Sequence, residues 1–274
     1  MASICPYKMH DGHICARTSL PDDEYCILHS SLPTKEITAF NAEINALVRA
    51  GHYDFSGCVF MRDVNLDDMR FDRGKTIIFS GARFHYGFSL SLGRTLNTFD
   101  FSNVVFYKDV DLRNTKFFGD ITFSQSEFKG KLDLSLSVIL GHAHFDHCVF
   151  YEAARFSHLD IQKETRFTGV KFIKQADFTG VLFGAETTFD KTAFNEDVIF
   201  ATATFIAKTS FNNCSFQGKT NFANAQFIGP TAFKKTDFYK ESNFSNAVFI
   251  TYPDMREARF DVRLDFMTKI KRRR

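Results

Sequence analysis

Three cysteines and one histidine near the start of the chain have the composition of a metal-binding site. Their spacing is Cys5-x9-Cys15-x10-Cys26-x2-His29. Three thiolates and one imidazole match the ligands that tetrahedral structural zinc prefers. The short interval between Cys26 and His29 suits two ligands supplied by a single turn. The sequence therefore predicts one structural zinc ion in this segment.

Other interpretations of the same segment stay open, because the first two spacings are long. His10 and His13 are additional nitrogen donors that could take the fourth position. The cysteines could also be free thiols in a loose N-terminal tail. A disulfide is less favoured, because residues 1–6 lack the features of a secretory signal and three local cysteines would leave one unpaired. We accordingly expect a cytoplasmic protein.

A helix is predicted directly after the cysteine-rich segment, over residues 33–50. Ser31 is a suitable N-cap, Pro33 fits the first turn, and Gly51 stands where a C-terminal cap belongs. The apolar residues on one face are Ile37, Phe40, Ile44, Leu47 and Val48. We expect this face to cover the open end of the domain that follows, or alternatively to bind a partner helix.

Phenylalanine dominates the rest of the chain and follows a fixed register. The protein has 274 residues, of which 35 are Phe and none is Trp. From Phe101 to Phe266 the Phe positions are separated by alternating steps of five and six residues, and 26 of the 31 positions are Phe. Helices and strands have periods of 3.6 and 2, so this period indicates a solenoid. The exceptions are all apolar: Leu112, Leu134, Ile139, Ile161 and Met255.

The register also predicts which side chains fill the solenoid. A small or slim residue stands two positions before most of the Phe positions, for example Ala176, Thr187 and Cys214. We expect each side of the coil to contribute one large and one small inward side chain. The predicted core positions in the regular part are Phe178, Phe183, Phe189, Phe194, Phe200, Phe205, Phe211, Phe216, Phe222 and Phe227.

This repeat resembles the pentapeptide-repeat family, in its Phe-centred variety, over roughly residues 53 to 266. The resemblance implies an all-β solenoid, a right-handed quadrilateral parallel β-helix. Alternating five- and six-residue sides would make coils of about 22 residues, and nine to ten coils spaced by ~4.8 Å give a rod of roughly 45 Å. Some members of the family open with a Cys/Cys/Cys-x-x-His module and a helix, and residues 24–29 look like the end of that module. The resemblance thus implies Cys5, Cys15, Cys26 and His29 as the metal ligands.

Four segments follow from these patterns. We predict a zinc-binding module at residues 1–30, a capping helix at 31–52, the β-helix at 53–268 and a basic tail at 269–274. Two irregularities are expected in the N-terminal part of the β-helix. Two residues are inserted near Gly74, and the stretch from Ser89 to Thr98 is expected to form a bulging loop.

Residues suited to catalysis are scarce elsewhere. His142, His144, His147 and His158 are close in sequence, but His147 and His158 are eleven residues apart and would lie on opposite sides of a 22-residue coil. We interpret this group as solvated histidines. The cysteines in the repeats, Cys58, Cys148 and Cys214, occupy small core positions and are expected to be structural. We therefore predict a protein that is not an enzyme.

Charge limits the range of partners. The formal net charge is +2, residues 51–268 carry 25 basic and 26 acidic groups, and no apolar run is long enough for a membrane-spanning helix. The tail could contact an anion such as nucleic acid through Lys269, Lys271, Arg272, Arg273 and Arg274.

The favoured function is a non-catalytic scaffold that binds a protein partner not identified by the sequence. The family resemblance also suggests a DNA mimic or topoisomerase-interacting protein, which the near-neutral repeats disfavour. Nucleic-acid binding through the zinc module and the tail is a further, less favoured alternative. A homodimer formed through an uncapped C-terminal coil is also considered.

Overall fold

The computed structural model describes residues 3–90 and 93–262 and contains a stack of coils with four faces. Each face is a parallel sheet, and the four sheets have ten, nine, eight and eight strands. From Thr76 onward the paired strands of each face are 22 residues apart, as in the register Thr76↔Thr98. These observations confirm a quadrilateral parallel β-helix with about 22 residues per coil.

The strands of each face are short and evenly spaced. The first face consists of Val59–Phe60, Arg83–Phe84, Val105–Phe106, Glu127–Phe128, Val149–Phe150, Lys171–Phe172, Ala193–Phe194, Ser215–Phe216, Asp237–Phe238 and Arg259–Phe260. The second face consists of Val64–Asn65, Phe88–Ser89, Val110–Asp111, Leu132–Asp133, Ala154–Arg155, Ala176–Asp177, Val198–Ile199, Thr220–Asn221 and Ser242–Asn243. The third face consists of Arg94–Thr95, Lys116–Phe117, Val138–Ile139, Asp160–Ile161, Leu182–Phe183, Thr204–Phe205, Gln226–Phe227 and Val248–Phe249. The fourth face consists of Thr76–Ile78, Thr98–Asp100, Ile121–Thr122, Ala143–His144, Thr165–Arg166, Thr187–Thr188, Thr209–Ser210 and Thr231–Ala232.

Stacked aromatic rings fill the interior. The first face contributes an unbroken column from Phe60 to Phe260, and a second unbroken column beside the fourth face runs from Phe55 to Phe233. The columns of the second and third faces are largely aliphatic in the N-terminal coils. They consist of stacked Phe rings from Phe156 and from Phe183 onward, respectively. Four aromatic columns therefore run side by side only in the C-terminal half. The ten Phe residues expected to fill the core are at most 1% exposed.

The corners of the coils explain the alternation of five and six. A residue with positive φ occurs every eleven residues from Asn103 to Glu257. Each of these residues is the third residue of a β-turn. The turn is closed by a backbone hydrogen bond, such as the one from Ser126 N to the Phe123 carbonyl at 2.9 Å. Type II turns require positive φ at this third position. The turn lies in the five-residue steps and forms two opposite corners of each coil, and the six-residue steps form the other two corners. Corners of the same type therefore stack on one another in successive coils.

The predicted irregularities are partly confirmed. Val59 pairs with Arg83, so the first coil has 24 residues, and the two additional residues follow the short 3₁₀ helix Leu66–Asp68. The expected loop between Ser89 and Thr98 is wrong for residues 93–98, because Arg94–Thr95 pairs in register with Lys116–Phe117. Residues 91–92 lie outside the described residues.

Helix α1 spans Ile37–Arg49 and begins later than predicted. Ser31 is not its N-cap; the Glu36 carboxylate accepts hydrogen bonds from the backbone N–H groups of Thr38 and Ala39. Gly51 has φ +74 and follows the helix, as expected for a C-terminal cap.

Helix α1 packs against the first coil through its apolar face. Phe40 and Ile44 are buried, and the Phe40 ring packs edge-on against Phe60 of the first coil with 5.3 Å between ring centroids. The apolar face of α1 therefore covers the N-terminal end of the core.

At the other end, the last described strand is Arg259–Phe260. The basic tail Lys269, Lys271, Arg272, Arg273 and Arg274, the last Phe position and the C-terminal surface proposed for dimerisation lie outside the described residues. Among the described residues, no helix is both long enough and apolar enough to cross a membrane.

Candidate metal centre

The predicted ligands come together through a short antiparallel pairing and one turn. Backbone bridges Ile4↔Thr18 and Lys8↔Ile14 hold the two sides of the segment together. Cys15 N donates to the Tyr7 carbonyl at 2.8 Å, which places Cys15 beside the side that carries Cys5. Cys26 and His29 lie in one turn, in which His29 N donates to the Cys26 carbonyl at 3.1 Å. The backbone thus brings Cys5 and Cys15 close to the turn that contains Cys26 and His29.

The ligand atoms have the separations of a tetrahedral site. Zinc bond lengths of ~2.3 Å to sulfur and ~2.05 Å to nitrogen predict edges of about 3.8 Å for sulfur–sulfur and about 3.6 Å for sulfur–nitrogen. The observed distances are 3.9 Å between Cys15 Sγ and Cys26 Sγ, and 3.4 Å from His29 Nδ1 to both Cys5 Sγ and Cys26 Sγ. All four ligand atoms lie within 4.8 Å of one another. This cluster can hold a metal ion with little movement of its side chains.

The imidazole of His29 is fixed in the orientation that metal binding requires. Its Nε2 lies 3.1 Å from the Ser56 carbonyl, which can only accept a hydrogen bond, so Nε2 carries the proton and Nδ1 presents a lone pair to the three sulfurs. Burial lowers the pKa of His29 to about 4, so the ring is neutral near pH 7. The Tyr7 ring stacks on the imidazole with 4.1 Å between centroids.

The site is closed to solvent. Cys5, Cys15, Cys26 and His29 are 0, 2, 0 and 6% exposed. Burial, with smaller contributions from the neighbouring thiols, raises the pKa of Cys26 to about 12. Thiolates at this site therefore need a positive charge beside them, which a metal ion supplies.

The alternative donors are not part of the cluster. His10 and His13 are exposed, and His13 Nδ1 lies 3.0 Å from an Asp11 carboxylate oxygen. Within the described residues, the nitrogen donor of this cluster is therefore His29.

A buried lysine joins the cysteine-rich segment to the first coil. Lys35 Nζ donates to the carbonyls of Leu28, Ser30 and Val59 at 3.3, 3.2 and 2.7 Å. It also lies 4.1 Å from the centroid of the Phe40 ring. Burial lowers the pKa of Lys35 to about 8. The Lys35 side chain thus contacts the cysteine-rich segment, helix α1 and the first strand of the β-helix.

The Tyr7 side chain packs against two glycines of the β-helix. Gly57 has φ +64, and a Cβ atom added there would lie 1.8 Å from the Tyr7 ring. A Cβ at Gly81 would lie 3.1 Å from the Tyr7 hydroxyl. Larger side chains would prevent this contact, so the first two coils are shaped to receive the cysteine-rich segment.

Sequence reasoning missed the residues that dock the site. Tyr7, Lys35 and Ser56 carry no motif, because their roles depend on contacts with other segments. The sequence signal for this docking contact is Gly57, because a glycine at the first turn of the repeats allows another chain segment to approach closely. The predicted core thiols are confirmed: Cys148 Sγ and Cys214 Sγ are buried and donate to backbone carbonyls at 2.9 and 3.0 Å.

Several lysines on the outside of the coils lie beside carboxylates of a neighbouring coil. Lys174, Lys208 and Lys219 form ion pairs with carboxylates one coil away. The Nζ–Oε distances are 2.8, 2.6 and 3.2 Å, to Glu196, Glu186 and Glu241. In this part of the rod, carboxylates therefore stand next to cations.

These features define the class of protein as a parallel β-solenoid with four faces and a capped N-terminal end. A family model described as pentapeptide repeats (9 copies) matches residues 145–193, within the part of the rod where the register is regular. The matched residues therefore carry pentapeptide repeats, and the paired strands before and after them keep the same 22-residue spacing. No curated protein matches the chain.

Proposed function

We propose that this protein is a non-catalytic interaction scaffold whose N-terminal cap is held by one structural zinc ion. The zinc ligands are Cys5, Cys15, Cys26 and His29. The observation that carries the proposal is that the four buried ligand atoms lie within 4.8 Å of one another, with His29 hydrogen-bonded to Ser56 of the first coil. The metal would thereby connect the cysteine-rich segment to the rod.

A structural role fits the ligand set better than a catalytic one. Four protein ligands complete a tetrahedron, whereas catalytic zinc keeps a position open for water or substrate. The segment is also short, so metal binding would provide folding free energy that its small apolar core cannot.

The rod itself supports a scaffold. Its interior is filled with stacked rings, and its turns repeat in register over nearly the whole length. Solenoids of this kind present extended surfaces of fixed shape, which suits the binding of a protein partner. The thiols inside the coils are buried, and burial raises the pKa of Cys148 and Cys214 well above the usual range, which is the opposite of what nucleophilic catalysis requires.

DNA mimicry is less well supported. A mimic needs a continuous negative surface, whereas the ion pairs between successive coils place Lys beside Glu. Nucleic-acid binding through residues 269–274 stays a weaker candidate, because the cysteine-rich segment is itself net negative.

We also propose a reducing compartment such as the cytoplasm. All six cysteines are free thiols. The ligand thiols must be reduced to bind a metal, and reducing compartments keep them so.

Metal content tests the zinc site. The purified protein should contain about one zinc ion per chain by elemental analysis, and Cys26→Ser should contain none. Cys214→Ser is the matched control, since it makes the same substitution at a buried thiol of the β-helix, and it should retain the metal. Unchanged zinc content in Cys26→Ser would reject the site.

Partner capture tests the scaffold. Affinity purification with the intact protein, compared with Cys26→Ser, should recover a specific protein in defined stoichiometry. Recovery of nucleic acid in its place, with salt-sensitive binding that disappears on deletion of residues 269–274, would favour the alternative function.

A further inference from the structure

A second group of metal-ligating side chains lies outside the rod, on the fourth face. His142 immediately precedes the strand Ala143–His144, and Glu164 occupies the same position as His142 one coil further on. The backbone N–H of Ala143 donates to the Glu164 carbonyl at 3.1 Å, so the two coils are in direct contact here. One ligand atom from each of His142, His144 and Glu164 lies within 4.8 Å of the other two.

Two of the ring nitrogens in this group have no hydrogen-bond partner among the described residues. They are His142 Nδ1 and His144 Nε2, and both atoms are shielded from solvent although the side chains themselves are partly exposed. A Glu164 carboxylate oxygen lies 3.9 Å from His142 Nδ1. Unpartnered buried nitrogen atoms are unfavourable, and an ion between these groups would satisfy them.

We infer that His142, His144 and Glu164 form a second metal site, for a divalent transition-metal ion of the Zn²⁺ or Cu²⁺ class. Two imidazoles and one carboxylate are suitable ligands for such ions. The His142 and Glu164 side chains are 38 and 43% exposed, so an ion can enter from solvent and keep water in its remaining positions. The cluster shares no residue with the cysteine site.

Arg166 opposes metal binding at this site. Its Nη2 lies 3.2 Å from His144 Nδ1, so this nitrogen accepts the hydrogen bond and the ring proton is on Nε2. Coordination through Nε2 requires the proton to be on Nδ1, and the Arg166 guanidinium must then turn away. Arg166 already forms an ion pair with Asp146, 2.9 Å from its Nε, which can hold it in the displaced orientation. The site should therefore bind more tightly when Arg166 is removed.

The sequence predicts solvated histidines here, because His147 and His158 would lie on opposite sides of the coil and no metal ligand would stack beside His147. The structure confirms that these two lie in different corners, next to Gly169 and Gly180 respectively. The pairing of His142 with Glu164 depends on the 22-residue stack, which a local motif does not reveal.

Zinc titration of the full chain tests the proposal. Protein that already holds one zinc ion is titrated with Zn²⁺ by calorimetry, and one further equivalent should bind. His142→Asn and Glu164→Gln should each weaken this second binding at least tenfold, and Arg166→Gln should strengthen it severalfold. His158→Asn is the matched control, because it removes a histidine from the same coil and should leave the second binding unchanged.

Two results would overturn the second site. One is the absence of a second equivalent in both the wild type and Arg166→Gln. The other is equal weakening by His142→Asn and His158→Asn, which would indicate non-specific binding to surface histidines. All four residues are outside the core, and an unchanged thermal midpoint verifies that each variant is folded. The first equivalent, bound by cysteines, serves as an internal reference, so failure of this proposal is distinguishable from failure of the cysteine site.

Discussion

At the scale of single residues, the phenylalanines of this protein act as repeated contacts. Phe205 is fully buried and stacks between Phe183 and Phe227, with 5.0 and 4.8 Å between ring centroids. It also contacts Phe211 edge-on at 5.9 Å. Removal of one ring therefore affects two neighbouring coils and leaves a cavity that the backbone ladder cannot close.

Phe205→Ala should lower the free energy of unfolding by roughly 3–5 kcal/mol, the range for truncation of a buried Phe. Denaturant unfolding followed by circular dichroism measures the change. Ile206→Ala, one position further on and 40% exposed, is the control and should change stability by less than about 1 kcal/mol. Equal stability of the two variants would contradict the inward assignment of the Phe register.

The core thiols make stability sensitive to alkaline pH. Burial raises the pKa of Cys214 above its unfolded value of ~8.5, so the folded state retains a proton that the unfolded chain releases. Its contribution is fully present below pH ~8.5 and decreases as pH rises further, by up to ~1.4 kcal/mol per pH unit.

Cys214→Thr should reduce this loss of stability between pH 8.5 and 10. Thr occupies the equivalent position in the adjacent coils, where Thr192 and Thr236 donate to a backbone carbonyl as Cys214 does. Unfolding curves at several pH values should show a shallower decline for the variant, with similar stability at pH 7. Identical pH slopes would contradict the proposed role of this thiol.

At the scale of elements, the corner turns set the register of the sheets. The left-handed position is Asn or Gly in seven of the fifteen turns from Asn103 to Glu257, as at Asn213 and Asn224, and neither residue is strained there. Thr202 has φ +58 at the same position, where a β-branched side chain is strained. This turn is therefore less favourable than its neighbours.

Thr202→Asn should raise the free energy of unfolding by roughly 1 kcal/mol, because it relieves strain of that order. The reciprocal change Asn224→Thr, one coil further on, should lower it by a similar amount. Thermal unfolding of both variants measures the effect. A loss of stability in Thr202→Asn would indicate that the turn does not determine the conformation of this corner.

For the molecule as a whole, the sequence predicts the structure of the repeated coils better than the contacts between segments that occur only once. The Phe register predicts the coil length, the inward residues and the four sheets, because every coil must bury the same positions. Helix α1 begins later than the sequence predicts, because Glu36 has an extended backbone and its carboxylate, not Ser31, caps the first turn. The members of the cysteine cluster are predictable from their residue types, whereas the docking contacts of Tyr7 and Ser56 are not, since they depend on segments far apart in sequence.

We propose that a metal ion holds the N-terminal cap on the rod, through His29 and the contacts around it. Hydrogen exchange measured by mass spectrometry tests this claim most directly, in the zinc-loaded protein and in Cys26→Ser. The amides of residues 53–64, which form the start of the first coil beneath the cap, should lose most of their protection in the variant. The amides of residues 198–209 should be unchanged. Equal protection of residues 53–64 in both proteins would contradict the claim.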